Sequence, residues 1–299
     1  MRKVKASMMN AIHDLPLLVA RDEGFFRDQG LDVEIIKTPG SGQKDSDHQA
    51  LRSNIFDRTM EALYEQGACD QFRMCEWGIM KRAVESNVEK GHRPAKIVAL
   101  GSAMSTFAIV ANPKAGIYEP EQLKDKPIGV SPFNGSHFTT LKLLEGFLKR
   151  EQIKTTFAGT MRERIEALKR GEVAAISLME PWISVAEKQG LRVLMESHST
   201  RSEAAGDELD GPTLHKMFLA EAEAARAIDK NPAKYAHYLV EEAGGMLELK
   251  DLKLGRILNA PPEPYTRERW DDTYRWTLKW NMTVTAATYE NAVDNRAWE

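Results

Sequence analysis

Four segments of this 299-residue chain put chemically capable side chains directly after stretches that read as β-strands. Asn10, His13 and Asp14 follow KVKASMM; Cys75, Glu76 and Trp77 follow QFRM; Ser131, Asn134, Gly135, Ser136 and His137 follow PIGV; Met179, Glu180 and Trp182 follow AAISL. Ligands of open parallel α/β sheets lie outside the carboxyl ends of the strands, where loops and helix N-termini present backbone donors. These four loops are expected to line one cleft.

The clearest local signal is SPFNGSHFTT. Pro132 stops a strand, Asn134-Gly135 turns the chain, and Ser136 is expected to cap a helix whose first amides could hold a carboxylate, sulfonate or phosphate. The plainer reading is a serine that only caps. His137, in the first turn, should be neutral and act as a hydrogen-bond donor to the ligand, because the helix dipole disfavours its cation there. Cys75, at a strand–helix junction, is placed for thiolate stabilisation, with His13 as candidate base and Glu76 as acceptor or proton carrier. Against that, a free cysteine is commonly a small buried hydrophobe, and the Glu76 charge would oppose a thiolate. Trp77 and Trp182 each follow or nearly follow a glutamate, an arrangement suited to stacking a heteroaromatic ligand, or simply to the core. Trp270, Trp276 and Trp280 are read as an inward helix face with no ligand role.

Other chemistries have no support. There is no GxGxxG, Walker-type, HExxH or CxxC motif, so no cofactor and no metal are expected. Lys and Arg total 41 against 44 Asp and Glu, mixed along the chain, which argues against a nucleic-acid partner. No apolar run approaches the roughly 18 residues that would cross a bilayer. The first 26 residues lack a signal-peptide pattern, so the chain as written is expected to be cytoplasmic, or periplasmic if it is a mature form. Cys69 and Cys75 are expected to be free thiols.

The elements that must position these residues alternate. KVKASMMN reads as a strand, Leu15 to Gln29 as a helix and LDVEIIK as a parallel strand. TPGSGQKDSDHQALRSN reads as a long loop, TMEALYEQGA and IMKRAVESNVEKG as helices, and KIVALGSAM as a strand. A second strand–helix series begins at FAIVANP and runs through PIGVSP, SHFTTLKLLEGFLKRE, MRERIEALKRG and VAAISL. RSEAAGDELDG reads as a polar connection, and the chain is helix-rich from Leu214. The expected organisation is a discontinuous first lobe, residues 1–103 and 201–299, and an inserted second lobe, residues 104–200.

LPLLVARDEGFFRDQGLDVEII, KPIGVSPFNGSHF and ALKRGEVAAISLMEPWISVAEKQGLRVL, in this order, resemble the substrate-binding proteins of the aliphatic-sulfonate, nitrate and thiamine-pyrimidine group, the SsuA/NMT1/THI5-like superfamily. The resemblance implies an α/β type II periplasmic-binding-protein fold, with two lobes, a two-strand hinge and a ligand cleft. It implies a small-molecule binding protein for an anionic or heteroaromatic ligand, partnered by an ABC permease if exported. The same fold holds cytosolic enzymes, so a cofactor-independent lyase, decarboxylase- or desulfinase-like, is the alternative, with Cys75, His13 and Glu76 in acid/base roles. FRMCEWG is similar to the matching strand end of the decarboxylases through Glu76. The desulfinase cysteine would fall within NAIHD, which has none. The cofactor lysine of the pyrimidine synthases would fall near Cys75, and their cysteine-rich motif is missing.

Overall fold

The computed structural model describes residues 1–38, 60–88, 91–282 and 287–299. The loop read from TPGSGQKDSDHQALRSN lies almost wholly outside them. The chain divides into two compact units, each crossed by the backbone more than once. Unit 1 is Met1–Ala103, Thr200–Asn231 and Asn259–Glu299; unit 2 is Met104–Ser199 and Pro232–Leu258.

Unit 1 opens with β1 (Arg2–Met8), α1 (Ala11–Asp22), α2 (Phe25–Asp28) and β2 (Leu31–Lys37). Asn10 starts α1 by accepting the His13 N–H on its side chain. Gly24, at φ 87°, adopts a left-handed conformation that interrupts the helix read across Leu15–Gln29, giving two helices in its place. β1 and β2 pair in parallel, as the helical crossover between them implies. After α3 (Met60–Glu65), β3 (Gln71–Cys75) leads straight into α4 (Glu76–Val88).

KIVALGSAM and FAIVANP, read as two strands, form the single strand β4 (Lys96–Ala111), whose carboxyl half belongs to unit 2. Unit 2 continues with β5 (Pro127–Val130), α5 (Gly135–Leu144), β6 (Lys154–Phe157), α6 (Met161–Arg170), β7 (Ala175–Met179) and α7 (Trp182–Lys188). α6 is bounded by a Thr160/Glu163 capping box and by Gly171 at φ 77°, both visible in the sequence. β5 pairs in parallel with β6 and β7, and β7 runs antiparallel to the carboxyl half of β4.

β8 (Arg192–Ala205) carries the chain back into unit 1, where it pairs antiparallel with β3. Residues 201–205, expected in a polar connection, are therefore strand. Arg201, Ser202 and Glu203 are buried rather than solvated, which composition alone cannot reveal. α8 (Gly211–Lys230) follows and packs on α1. Next come α9 (Pro232–Tyr235), α10 (His237–Glu242), β9 (Leu258–Asn259), α11 (Arg267–Lys279) and α12 (Tyr289–Ala292). The strand order is β2-β1-β3-β8-β4-β7-β5-β6, with β9 beside β4.

One C-terminal expectation needs correcting. Residues 232–258 belong to unit 2, not to the first lobe. The physical tie is Arg256, which pairs with Glu180, Glu187 and Glu196. The core of unit 1 gathers Phe72, Ile79, Met80, Val84, Ile97, Tyr265, Trp270 and Val293. In unit 2, Ile109, Ile128, Val130, Phe138, Leu141, Ile165, Leu168, Ile176 and Ile183 are buried. Among the described residues no helix is long and apolar enough to cross a membrane.

Candidate functional site

In unit 1, Asn10, His13 and Asp14 follow β1, and Cys75 ends β3 with Glu76 and Trp77 directly after it. Asp14 is buried; its Oδ2 accepts the N–H groups of Met9 (2.8 Å) and Asn10 (3.3 Å), and its Oδ1 lies 3.7 Å from Arg73 Nε. Burial pushes the Asp14 carboxyl up from its ordinary value, opposed by the charges of Arg201 and Arg73. His13 is buried too, and desolvation, aided by Arg201, lowers its pKa well below that of free histidine. It is a neutral imidazole at physiological pH.

At Cys75 burial works against the expected thiolate. Burial pushes this thiol up to about 11, and Glu76 adds to the shift, against the smaller pull of the Gly78 backbone N–H and Arg201. The helix start contributes less than the desolvation costs. Cys69 is also buried and also raised to about 11, chiefly by burial. Both thiols are free.

Glu76 is not placed as a mobile proton carrier. Its Oε1 accepts from Tyr265 Oη (2.7 Å), Arg269 Nε (2.8 Å) and Thr273 Oγ1 (2.9 Å); its Oε2 accepts from Thr200 Oγ1 (2.9 Å) and Arg269 Nη2 (2.7 Å). Five donors saturate a carboxylate, so Glu76 ties α4 to α11 and β8. Trp77 lies against Trp276, with ring centroids 5.7 Å apart, in a cluster that continues to Trp280. Its expected ligand-stacking face is thus partly given to α11.

Sequence reasoning missed the buried polar network beneath these residues. β3 alternates: Phe72 packs in the core while Gln71 and Arg73 turn to a face where Glu203 of β8 and Glu221 of α8 meet them. Arg73 Nη2 reaches Glu221 at 2.8 Å and Glu203 at 3.3 Å, Gln71 donates to Glu203, and Ser102 donates to Glu221 at 2.8 Å. Burial raises Glu203 well above the ordinary carboxylate range, with Glu221 reinforcing and Arg73 opposing the shift. The period of two in QFRMC was the available signal.

In unit 2 the turn after β5 holds Ser131, Asn134, Gly135, Ser136 and His137. The N-cap of α5 is Asn134 rather than Ser136, and the Asn134 side chain makes no capping bond. Ser136 is the second helical residue; its buried Oγ accepts the Ser131 N–H at 3.0 Å. The amides of Gly135 and Ser136, first in the helix, have no intrahelical acceptor. Phe133 sits half-exposed at φ 55°, and its N–H donates to His137 Nδ1 at 3.1 Å. His137 Nε2 lies 3.3 Å from Thr155 Oγ1, and burial lowers its pKa to about 4. His137 is neutral as expected, but it supports the turn from within instead of offering a donor to a ligand.

Glu180, directly after β7, is buried and accepts from Ser184 Oγ (3.0 Å) and Arg256 Nη1 (3.1 Å). Burial raises its pKa, against the opposing pull of Ser184 and Arg256. Trp182, half-buried, is the first residue of α7. Among the described residues no group of three or more His, Cys, Asp or Glu could hold a metal ion.

The NMT1/THI5 like family profile matches residues 12–51. No curated protein matches the chain. Solved structures match its whole length. The alkanesulfonate-binding protein SsuA from Xanthomonas axonopodis pv. citri, bound to MOPS, superposes with a TM-score of 0.71 at 14% identity, covering 98% of each chain. The periplasmic nitrate-binding protein NrtA from Synechocystis PCC 6803 gives 0.71 at 15%, covering 100% of this chain and 87% of its own. The desulfurization enzyme DSZB gives 0.63 at 12%, covering 98% and 96%. The fold is that of the periplasmic-binding proteins. It is the fold of the SsuA/THI5/NMT1-like superfamily that the sequence resembles.

Proposed function

We propose that this chain is a small-molecule binding protein of the ABC-transporter substrate-binding type, taking a small sulfonate, carboxylate or pyrimidine-like ligand. The observation that carries this reading is the Ser131–His137 turn. Two internal bonds, Ser131 N–H to Ser136 Oγ and Phe133 N–H to His137 Nδ1, brace a helix start whose leading amides lack intrahelical partners. Fold likeness to proteins that bind alkanesulfonate and nitrate supports the same reading. So does the state of the acid/base candidates: Cys75 is held as a thiol, Glu76 is saturated, and His13 is buried and neutral. An ABC permease is the partner this reading gives if the protein is exported.

Calorimetry against methanesulfonate, MOPS, benzenesulfonate, benzenesulfinate, benzoate, nitrate and a pyrimidine phosphate, with product analysis of each mixture, tests it. Binding of at least one compound with no product formed is the expected outcome; turnover of an aromatic sulfinate or carboxylate would replace the reading with the lyase. Ser136→Ala should weaken an anionic ligand by roughly 1–2 kcal/mol if the hydroxyl donates to it. Unchanged affinity reduces Ser136 to a brace for Ser131.

A further inference from the structure

Five arginines are buried among the described residues: Arg73, Arg82, Arg164, Arg201 and Arg256. A buried guanidinium is normally paired, because an uncompensated charge away from water is costly. Arg73 has Glu203 and Glu221, Arg82 has Glu61 and Glu65, and Arg256 has three glutamates. Arg164 is solvated by two carbonyls, those of Gly159 (3.1 Å) and Ser177 (2.9 Å). Arg201 is different. It is 2% exposed, its Nε has no hydrogen-bond acceptor, and no described carboxylate forms an ion pair with it. Its Nη2 reaches the Arg73 carbonyl at 2.8 Å and the Met60 sulfur at 4.0 Å, and a thioether is a weak acceptor.

The place of this arginine in the fold gives the anomaly a meaning. Arg201 sits opposite Cys75 in the β3–β8 pair, at the carboxyl end of β3. β1 lies next to β3, and α1 begins just beyond its carboxyl end. That end of a parallel pair is where α/β proteins bind ligands. Asp14 and Glu203, the carboxylates whose charges are felt there, are already engaged, Asp14 by two amides and Arg73, Glu203 by Gln71 and Arg73.

We propose that Arg201 anchors an anion subsite in unit 1, taking the acid group of a small organic sulfonate or carboxylate through Nε and the Nη2 that now faces the Met60 thioether. The inference rests on the binding-protein reading above and adds to it a second, charged contact outside the Ser131–His137 turn. A guanidinium suits this task because its planar fork meets two oxygens of one acid group at once. The unpaired charge is then a cost of the free protein that the ligand relieves.

The test uses the full chain with benzenesulfonate, methanesulfonate and benzoate in calorimetry, and selenate in crystals. Arg201→Met should weaken benzenesulfonate by about tenfold or more and abolish the rise in Tm that the anion gives the wild type. Its Tm without anion should be equal or higher, since a buried charge lacking a counterion is removed. Arg201→Lys, which keeps the charge without the fork, should fall between the two. The anomalous selenium peak should lie beside Arg201 Nε. If Arg201→Met does not fold, Arg201→Lys and the selenate position still decide. Unchanged affinity in either folded variant, or a peak only at the Gly135–Ser136 amides, overturns the subsite and leaves the binding reading standing. A wild type that binds none of the four probes overturns the subsite together with the anionic form of that reading.

Discussion

His137 is worth most to this protein without its second proton. Its Nδ1 must keep a lone pair for the Phe133 N–H, and burial lowers its pKa from 6.5 to about 4. Between those values the unfolded chain binds a proton that the folded chain refuses, so stability falls as pH drops through this window, by up to about 3 kcal/mol. Asp14 and Glu180 are raised and act in the opposite sense, so the quantity to measure is a difference. Urea denaturation of wild type and His137→Gln from pH 7 to 4 should show the variant with the shallower decline; parallel curves would refute the assignment. For Cys75 the expectation is inertness. With thiols raised to about 11, iodoacetamide at pH 7.5 should label Cys75 and Cys69 slowly in the folded protein and fast in urea. Rapid, ligand-protected labelling of Cys75 would restore the catalytic reading. At this scale the sequence showed which residues follow strands, but not their partners. Glu76 looked like a proton carrier because Tyr265, Arg269 and Thr273 lie nearly 200 positions away, and Arg201 was hidden in a segment whose composition reads as loop.

Helices with strong punctuation were the most legible elements. α6, with its capping box and terminal glycine, has the bounds its sequence implies, whereas α1 and α2 were merged because periodicity continues through Gly24. β8 escaped because Arg201, Ser202 and Glu203 read as solvated residues, whereas the fold buries all three. The segment 232–258 was misplaced because its ties to unit 2 are long-range polar contacts: Arg256 with Glu180, Glu187 and Glu196, Lys253 with Glu187, and Asp251 with Lys188. Arg256 is 6% exposed and Glu180 1%. Arg256→Met should therefore cost about 3–5 kcal/mol, because it leaves a buried carboxylate unpaired. Hydrogen exchange should locate the loss in α9, α10 and β7 and leave β1 to β3 protected. Uniform loss across both units would mean that the segment does not belong to unit 2 alone.

At the level of the molecule, strand–helix alternation was enough for the α/β class, and the segments LPLLVARDEGFFRDQGLDVEII, KPIGVSPFNGSHF and ALKRGEVAAISLMEPWISVAEKQGLRVL carried the resemblance to the periplasmic-binding fold. The antiparallel placements of β8 beside β3 and of β7 beside β4 were not legible, since long-range pairing leaves no local trace. The chain passes between the units after Ala103, Ser199, Asn231 and Leu258. This routing dictates an order of events on the ribosome, where domains emerge from the amino end. All of unit 2 has been made once Leu258 is out, while unit 1, begun first, still lacks α11 and α12, and β3 has waited for β8 through well over a hundred residues of synthesis. A chain ended after Leu258 should resist protease in residues 104–199 and 232–258 and be cut within 1–103; equal resistance in both would contradict that order. Unit 1, begun before unit 2, is completed after it, and its β3 edge is exposed to mispairing until β8 has been made.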